Sequence, residues 1–498
     1  MDINYHAHQT PQFRVLSDQQ IETVYQATLE CLNRTGVNVL NAEARDLLGV
    51  AGAQVDGVRV RIPPHIIQDA VAANPRSFTL WGRPFGETSA NSVEPLRTQD
   101  GKHRMQVVPD RVYFGPGPTC TYFVDPETGK RRKVRRGDPG MTALVSDTLD
   151  NIDYVMGLGL IGDVHHRLAP VYEFAEMIAN TGKPVLAWAY SAENMSDIYQ
   201  IALAVAGREE VFRQRPFFAL FATFQAPLQH TGEELANVLW AAERDIPIVY
   251  LGGGCAGSTA PVTGAGTLVI SLAGALSGLA IIQLKKRGTA VCIGGVPQPM
   301  DLRTGKPAYG GPEMSLYSAA MSDISRYLGV PFMGTAGASE AKVLDLQAAI
   351  ESTVQVVLSG LSGATLVHDV GFLDCAEIGS LEMLVMNDEI IAMTRRIMRG
   401  VEVSDDTLML DLIDEIGPGG EFMSARETAR RCRAEIWTPT LMDRERWMNW
   451  EAAGALTMKD RIKARVREIL ATHEPPPLPE DAAEKIEAIL EAAEAREE

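Results

Sequence analysis

Side chains able to do chemistry collect in this sequence just after short β-rich runs. Trp188 and Tyr190 follow one run, Phe221, Phe224 and Gln225 the next, and Gly252-Gly-Gly-Cys-Ala-Gly-Ser258 a third. Gly294-Gly-Val-Pro-Gln-Pro-Met300, Gly334-Thr-Ala-Gly-Ala-Ser-Glu340 and His368-Asp369 follow later ones. His368-Asp369 has the make-up of an acid/base pair, although a histidine at a strand end is as often a satisfied core residue. Cys255 invites a nucleophile reading, but no G-x-S-x-G elbow accompanies it. Cys255, Cys292, Cys375 and His368 all lie near strand ends, yet none of them share C-x2-4-C or H-x3-5-H spacing, so no metal site is expected and the cysteines read as structural. The glycine run lacks the Lys-Ser/Thr of a phosphate loop and the spacing of a dinucleotide fingerprint. Its expected role is to let a large flat ligand, or a partner's cofactor, approach the backbone at Gly252, Gly253, Gly254 and Ser258.

The elements that must position these residues have a regular rhythm. Eight β-rich runs (Val112–Phe114, Asp153–Leu158, Pro184–Tyr190, Phe217–Phe224, Pro247–Leu251, Ala290–Ile293, Pro331–Met333 and Ala364–Val367) are each followed by a helical pattern. Caps such as Thr231-Gly-Glu-Glu234 open the helices. Eight βα units predict an α/β fold, a (β/α)8 TIM-type barrel, whose chemistry gathers at the C-terminal strand ends. The expected division is an N-terminal α+β extension (1–110), the barrel (111–400), a C-terminal helical closure (401–473), and a Pro-rich linker with an acidic helical tail (474–498). In the extension, Ser17-Asp-Gln-Gln20 reads as a capping box and Gly36 as a helix stop, while residues 87–110 are polar and irregular. The tail reads as a solvated helix, with a subunit or partner contact as the other use.

Composition narrows the partners. The 498 residues are 46% hydrophobic and 22% charged, an ordinary globular balance. Forty-six basic against 64 acidic residues leave a net charge of −18, which repels phosphate backbones, so no nucleic-acid partner is expected. Six dispersed cysteines without CxxC, and an N-terminus without an apolar signal core, point to a cytoplasmic protein. Gly264–Leu284 is long and apolar enough to span a bilayer and contains Gly274-Ala-Leu-Ser-Gly278, a GxxxG pattern. Because it stands alone within the βα rhythm, it reads as a buried helix. Its small residues suggest tight helix packing and a homo-oligomer.

Long motifs then support a resemblance. Gly254-Cys-Ala-Gly-Ser-Thr-Ala-Pro-Val-Thr-Gly264, Gly337-Ala-Ser-Glu-Ala-Lys-Val-Leu-Asp-Leu-Gln-Ala-Ala349, His368-Asp-Val-Gly371, Ser380-Leu-Glu-Met-Leu-Val-Met-Asn-Asp-Glu389 and Gly417-Pro-Gly-Gly420 occur in order. With Thr35-Gly-Val37, they resemble the trimethylamine methyltransferase family over about residues 15–470. The resemblance implies a barrel enzyme that moves a methyl group from a methylated amine to cob(I)alamin, a corrinoid carried by a separate protein. The founding branch reads a stop codon as pyrrolysine. Only the twenty standard residues occur here, which implies the non-pyrrolysine branch and a quaternary, betaine-like amine.

That substrate sets the expected roles. Trp188, Tyr190, Phe221 and Phe224 would cage the cationic head, at roughly 0.5–2 kcal/mol per ring. Glu340 and Asp369 would add anionic stabilisation, with His368 as acid/base, while Gln298 and Gln347 would contact substrate. Arg303 and Lys306 would receive a substrate carboxylate. The competing readings are a zinc- or thiol-dependent methyltransferase and a non-catalytic quaternary-amine binding protein.

Overall fold

The computed structural model describes residues 10–83 and 103–497. Most of the irregular stretch expected over 87–110 lies outside them. Seven short parallel strands form a curled central sheet. They are β1 (Tyr113–Phe114), β2 (Val185–Ala187), β3 (Phe218–Thr223), β4 (Ile248–Leu251), β5 (Val291–Gly294), β6 (Phe332–Thr335) and β7 (Leu366–His368), in the order β1-β7-β6-β5-β4-β3-β2. All seven coincide with runs expected from sequence.

The eighth expected strand, Asp153–Leu158, is not a regular strand. Val155 makes a parallel bridge to Val185 in β2, and the Asp153 N–H donates to the Phe114 carbonyl at 2.7 Å. The ladder stops there because side chains take over its groups. The Asp153 carboxylate accepts the Phe114 N–H (2.8 Å) and Arg395 (2.6 Å), and Leu158 turns to a φ of 63°. Below it, the buried Lys183 ammonium donates to the carbonyls of Ser146, Leu149 and Ile152.

The inner face of the sheet buries Tyr113, Tyr154, Met156, Leu186, Ala219, Phe221, Val249, Leu251, Cys292, Met333 and Leu366. An antiparallel hairpin, Phe78–Leu80 with Met105–Val107, closes its N-terminal end by adding Leu80, Met105 and Val107 to that cluster. At the C-terminal end, the hairpin Tyr122–Val124/Arg131–Lys133 joins Phe372–Leu373 and Ile378–Gly379 in a second small sheet. Its turn forms as the Asp125-Pro-Glu-Thr-Gly129 spelling predicts: the Asp125 carboxylate accepts the N–H groups of Glu127 and Thr128, and Gly129 takes a φ of 67°.

In the N-terminal unit, helix Asp18–Arg34 opens with the expected Ser17/Gln20 capping box. This helix and Pro64–Ala73 pack on the outer face of helix Gly264–Lys285. That cover explains a 22-residue apolar helix without a bilayer: it passes the length and hydropathy test for a span, yet 78% of its most apolar window is buried inside the protein.

The C-terminal tail is a correction to the solvated-helix expectation. Helix Ala482–Glu497 buries Ala482, Ile486, Leu490 and Ala493 against helix Ala192–Ala206, and Arg496 pairs with Asp197. The Pro-rich stretch before it is held as well. The Arg83 guanidinium donates to the carbonyls of Pro476 and Pro477, and His473 meets Asp147 at 2.9 Å.

Candidate active site

Three strand ends converge on the C-terminal mouth. β7 delivers His368 and Asp369, both almost fully buried. Asp369 takes the left-handed conformation (φ 75°), which an Asp tolerates better than most residues. That turn aims its carboxylate back at its neighbour: His368 Nδ1 lies 2.5 Å from Asp369 Oδ1. The other oxygen, Oδ2, accepts the Tyr309 hydroxyl at 2.6 Å. On the far ring nitrogen, His368 Nε2 sits 3.4 Å from the Thr335 hydroxyl. Only glycine fits opposite, since a Cβ at Gly117 would fall 2.3 Å from Asp369 Oδ1 and 2.7 Å from the Phe372 ring.

Tyr309 links this pair to a second acidic group. The next residue, Gly310, donates its N–H to Glu340 Oε1 (3.1 Å), and the Glu340 N–H donates to Glu351 Oε2 (2.8 Å). Glu351 also accepts from the Ser339 hydroxyl and from Gln347. None of the carboxylates of Asp369, Glu340 and Glu351 is in an ion pair with Lys or Arg among the described residues.

Aromatic groups form the other side. Trp188, just past β2, packs on the inner cluster that holds Phe221 and Tyr154. Tyr190 meets Trp188 edge to face at 4.7 Å, and Phe221 presents its ring edge-on to His368 at 5.8 Å. Behind Trp188, the indole N–H donates to Glu173 Oε2 at 2.8 Å. Glu173 is 1% exposed and belongs to helix Ala169–Asn180, and a Cβ at Gly157 would strike its other oxygen at 2.5 Å. Burial without a cationic partner pushes the Glu173 carboxyl up to about 8, against the weaker opposing effect of the Trp188 hydrogen bond.

The Glu173 shift carries a stability consequence. A carboxyl whose folded pKa is raised gives stability that is complete below its unfolded pKa, near 4.3, and is lost as pH rises toward 8. Glu173→Gln keeps the indole acceptor and removes the titration. We expect the wild type to lose up to a few kcal/mol relative to Glu173→Gln between pH 5 and 8. Urea unfolding at the two pH values measures it, and parallel pH dependence in both proteins would refute it. Glu234, pushed up to about 7 chiefly by burial, contributes in the same direction to both proteins and cancels in the difference.

Several expected site residues lie elsewhere. Phe224 is buried, but its ring fills the space over Gly252 and Gly274 between the sheet and helix Gly264–Lys285, so it cannot join a cage with Phe221. Successive residues of a strand face opposite sides, and the odd spacing from Phe221 puts Phe224 outward. Arg303 points to solvent, with its side chain 88% exposed beside Asp301, and Lys306 is also exposed. Gln347 is exposed on helix Leu346–Ser362 and reaches the mouth only through Glu351.

At Gly252, Gly253 and Gly254 the close approach is made by the chain itself. Added Cβ atoms would meet the Phe224 carbonyl at 2.6 Å, the Val296 carbonyl at 2.2 Å and Ala260 at 2.6 Å. Gln298 donates its backbone N–H to the Gly254 carbonyl, while its buried side-chain oxygen has no partner among the described residues. Ser258 is exposed at the rim. Sequence reading missed Tyr154, Glu173, Tyr309 and Glu351. A signal existed for Glu173 alone, an acid within the apolar stretch Val171–Ala175.

A family model described as "Trimethylamine methyltransferase (MTTB)" matches residues 1–496. The chain belongs to the trimethylamine methyltransferase family. Within that family, trimethylamine methyltransferase MttB of Desulfitobacterium hafniense (strain DSM 10664 / DCB-2) is 29% identical over 480 residues, covering 96% of this chain and 93% of the relative. A glycine betaine methyltransferase of Desulfitobacterium hafniense (strain Y51) is 27% identical, covering 96% and 97%. The crystal structure of the Methanosarcina barkeri monomethylamine methyltransferase aligns over 93% of this chain at 13% identity, with a TM-score of 0.48. The trimethylamine methyltransferase family fixes the class of chemistry as methyl transfer from methylated amines.

Proposed function

We propose that this chain transfers a methyl group from a quaternary amine to a corrinoid presented by a separate protein, releasing a neutral tertiary amine. The observation that carries the reading is the pairing at the mouth of aromatic rings (Trp188, Tyr190, Phe221) with carboxylates that no Lys or Arg neutralises among the described residues (Asp369, Glu340), a setting made for a permanent cation. The acceptor, when its carrier docks, supplies the nucleophile. The rim suits a broad flat group: Val262 (68% exposed) and Leu302 (71% exposed) flank Gly257 on an apolar edge.

The chain's own share is binding and orientation. As the methyl–nitrogen bond breaks, its electron pair stays on nitrogen, so the leaving amine is neutral and needs no proton. Demethylating an unprotonated tertiary amine would expel an amide anion, a far poorer leaving group. The reading includes a barrel closed through Asp153–Met156, a cytoplasmic setting and a homo-oligomer.

The test is to incubate purified protein with free cob(I)alamin and a panel of quaternary and tertiary amines, following the cobalamin spectrum. Methylation by a quaternary amine and not by trimethylamine is the expected result. A silent panel accompanied by calorimetric binding would turn the assignment to a quaternary-amine binding protein.

A further inference from the structure

We infer that the substrate is a net cation whose remote end is an uncharged hydroxyl, a choline-type amine and not a zwitterionic betaine, and that the Tyr154 phenol reads that hydroxyl. The inference rests on the quaternary-amine reading and narrows it to one chemical class. Two independent features carry it.

The first is charge. A betaine brings a carboxylate into the site with its cation, and that carboxylate must find a cation or a set of free N–H groups. The mouth offers the reverse. Asp369, Glu340 and Glu351 stand in sequence along the Tyr309–Gly310 segment. Among the described residues none of these carboxylates is in an ion pair with Lys or Arg. On that edge the basic side chain of Lys342 is 66% exposed, pairs with Asp374 and donates to the Glu340 carbonyl. Arg303 is turned to solvent beside Asp301, and Arg132 is consumed by Asp125 and Asp138. His368 already shares its Nδ1 with Asp369. A second anion entering with the substrate would meet these three carboxylates, which no Lys or Arg neutralises among the described residues.

The second feature is a free polar atom. Tyr154 is fully buried, and its hydroxyl has no hydrogen-bond partner among the described residues. A buried hydroxyl left unpaired is costly, which makes an orphan a strong pointer to a ligand. Its ring belongs to the inner cluster with Phe221 and leans on Gly115, where a Cβ would come within 2.4 Å of it. Phe221, its neighbour in that cluster, meets the His368 ring edge-on at 5.8 Å, so the phenol shares its interior with the His368–Asp369 pair. Burial holds that phenol neutral, so it both donates and accepts. A substrate hydroxyl is its complement: it accepts from the phenol and donates to a carboxylate.

The decisive comparison uses choline, glycine betaine and tetramethylammonium. Choline and glycine betaine share the trimethylammonium head and differ only in CH2OH against COO⁻. Methyl transfer to free cob(I)alamin is followed for the wild type and for Tyr154→Phe. We expect kcat/KM at least tenfold higher for choline than for glycine betaine. In Tyr154→Phe the choline value should fall about five- to tenfold while tetramethylammonium is unchanged, a split that a merely structural role for the ring would not produce. Glycine betaine equal to or better than choline overturns the inference and leaves the quaternary-amine reading standing. Equal losses on choline and tetramethylammonium in Tyr154→Phe overturn the role of the phenol. No transfer from and no calorimetric binding of any of the three overturns the functional reading and this inference with it.

Discussion

Replacing Asp369 by Asn should raise KM for the quaternary amine about 100-fold while leaving kcat within about threefold of wild type. The direction follows from where the charge is. Bound substrate carries a full positive charge on nitrogen, and that charge disappears as the methyl departs. A carboxylate beside it therefore stabilises the bound ground state at least as much as the transition state, so its loss raises KM and leaves kcat unchanged or slightly raised. At about 6 Å and an effective dielectric near 20, a unit pair is worth about 3 kcal/mol, which is roughly 100-fold. Asn is the informative substitution because it tolerates the left-handed backbone (φ 75°) and has nearly the shape of Asp in the space left by Gly117. It still accepts the Tyr309 hydroxyl, or turns to meet His368, so the local geometry survives the charge change. Far-UV circular dichroism and a urea midpoint near wild type would show that the fold is intact. A kcat that falls 100-fold at unchanged KM would overturn this assignment. It would mean that the His368–Asp369 pair acts on the reacting atoms, as the acid/base reading of the motif expects.

The contrast between what was legible in the sequence and what was not follows the range of the interactions. Strands β1 to β7 were legible because each is a short apolar run bounded by turn residues, and their pairing needs only the βα rhythm. His368-Asp369 was legible because chain neighbours at a strand end must sit at the mouth. Trp188 and Phe221 followed from the same rule, and Phe224 failed it because strand alternation sends it to the outer face. Tyr309 and Glu351 were invisible for a different reason. Tyr309 reaches Asp369 over 60 residues, Glu351 meets Ser339 and Glu340 from the next helix across a loop, and no local pattern records either contact. The 153–158 segment shows a third kind of failure. Its apolar alternation is strand-like, but the Asp153 side chain captures the Phe114 N–H and starves the ladder. Asp153 is a single residue whose effect depends on where it folds.

The GxxxG pattern of helix Gly264–Lys285 is the clearest case of a motif with a different use. Read as sequence, Gly274 and Gly278 suggest a helix pressed against another helix in an oligomer. In the fold they make room for aromatic rings of the chain's own sheet: a Cβ at Gly274 would fall 2.2 Å from the Phe224 ring, and one at Gly278 2.0 Å from the Tyr250 ring. Tyr250 cannot swing aside. Its hydroxyl meets His230 Nδ1 at 2.7 Å, the two rings stack at 5.9 Å, and His230 Nε2 is held by Ser277 at 2.8 Å. Burial lowers the His230 imidazole to about 4, so the network is neutral through the physiological range. Gly278→Ala gains about 1 kcal/mol of helix propensity and loses more to overpacking, which costs about 1–3 kcal/mol in an ordinary core and more where the obstructing ring is fixed. We expect a net loss of about 2 kcal/mol, read as a lower urea midpoint at unchanged slope. Gly49→Ala, in the exposed last turn of helix Ala42–Val50, calibrates the same measurement. Its Cβ would meet only Val55 at 3.5 Å, so the propensity gain stands alone and the midpoint should rise or stay level. If Gly278→Ala leaves the midpoint unchanged but alters the sedimentation coefficient, the glycines serve an interface between chains and not the packing of helix on sheet.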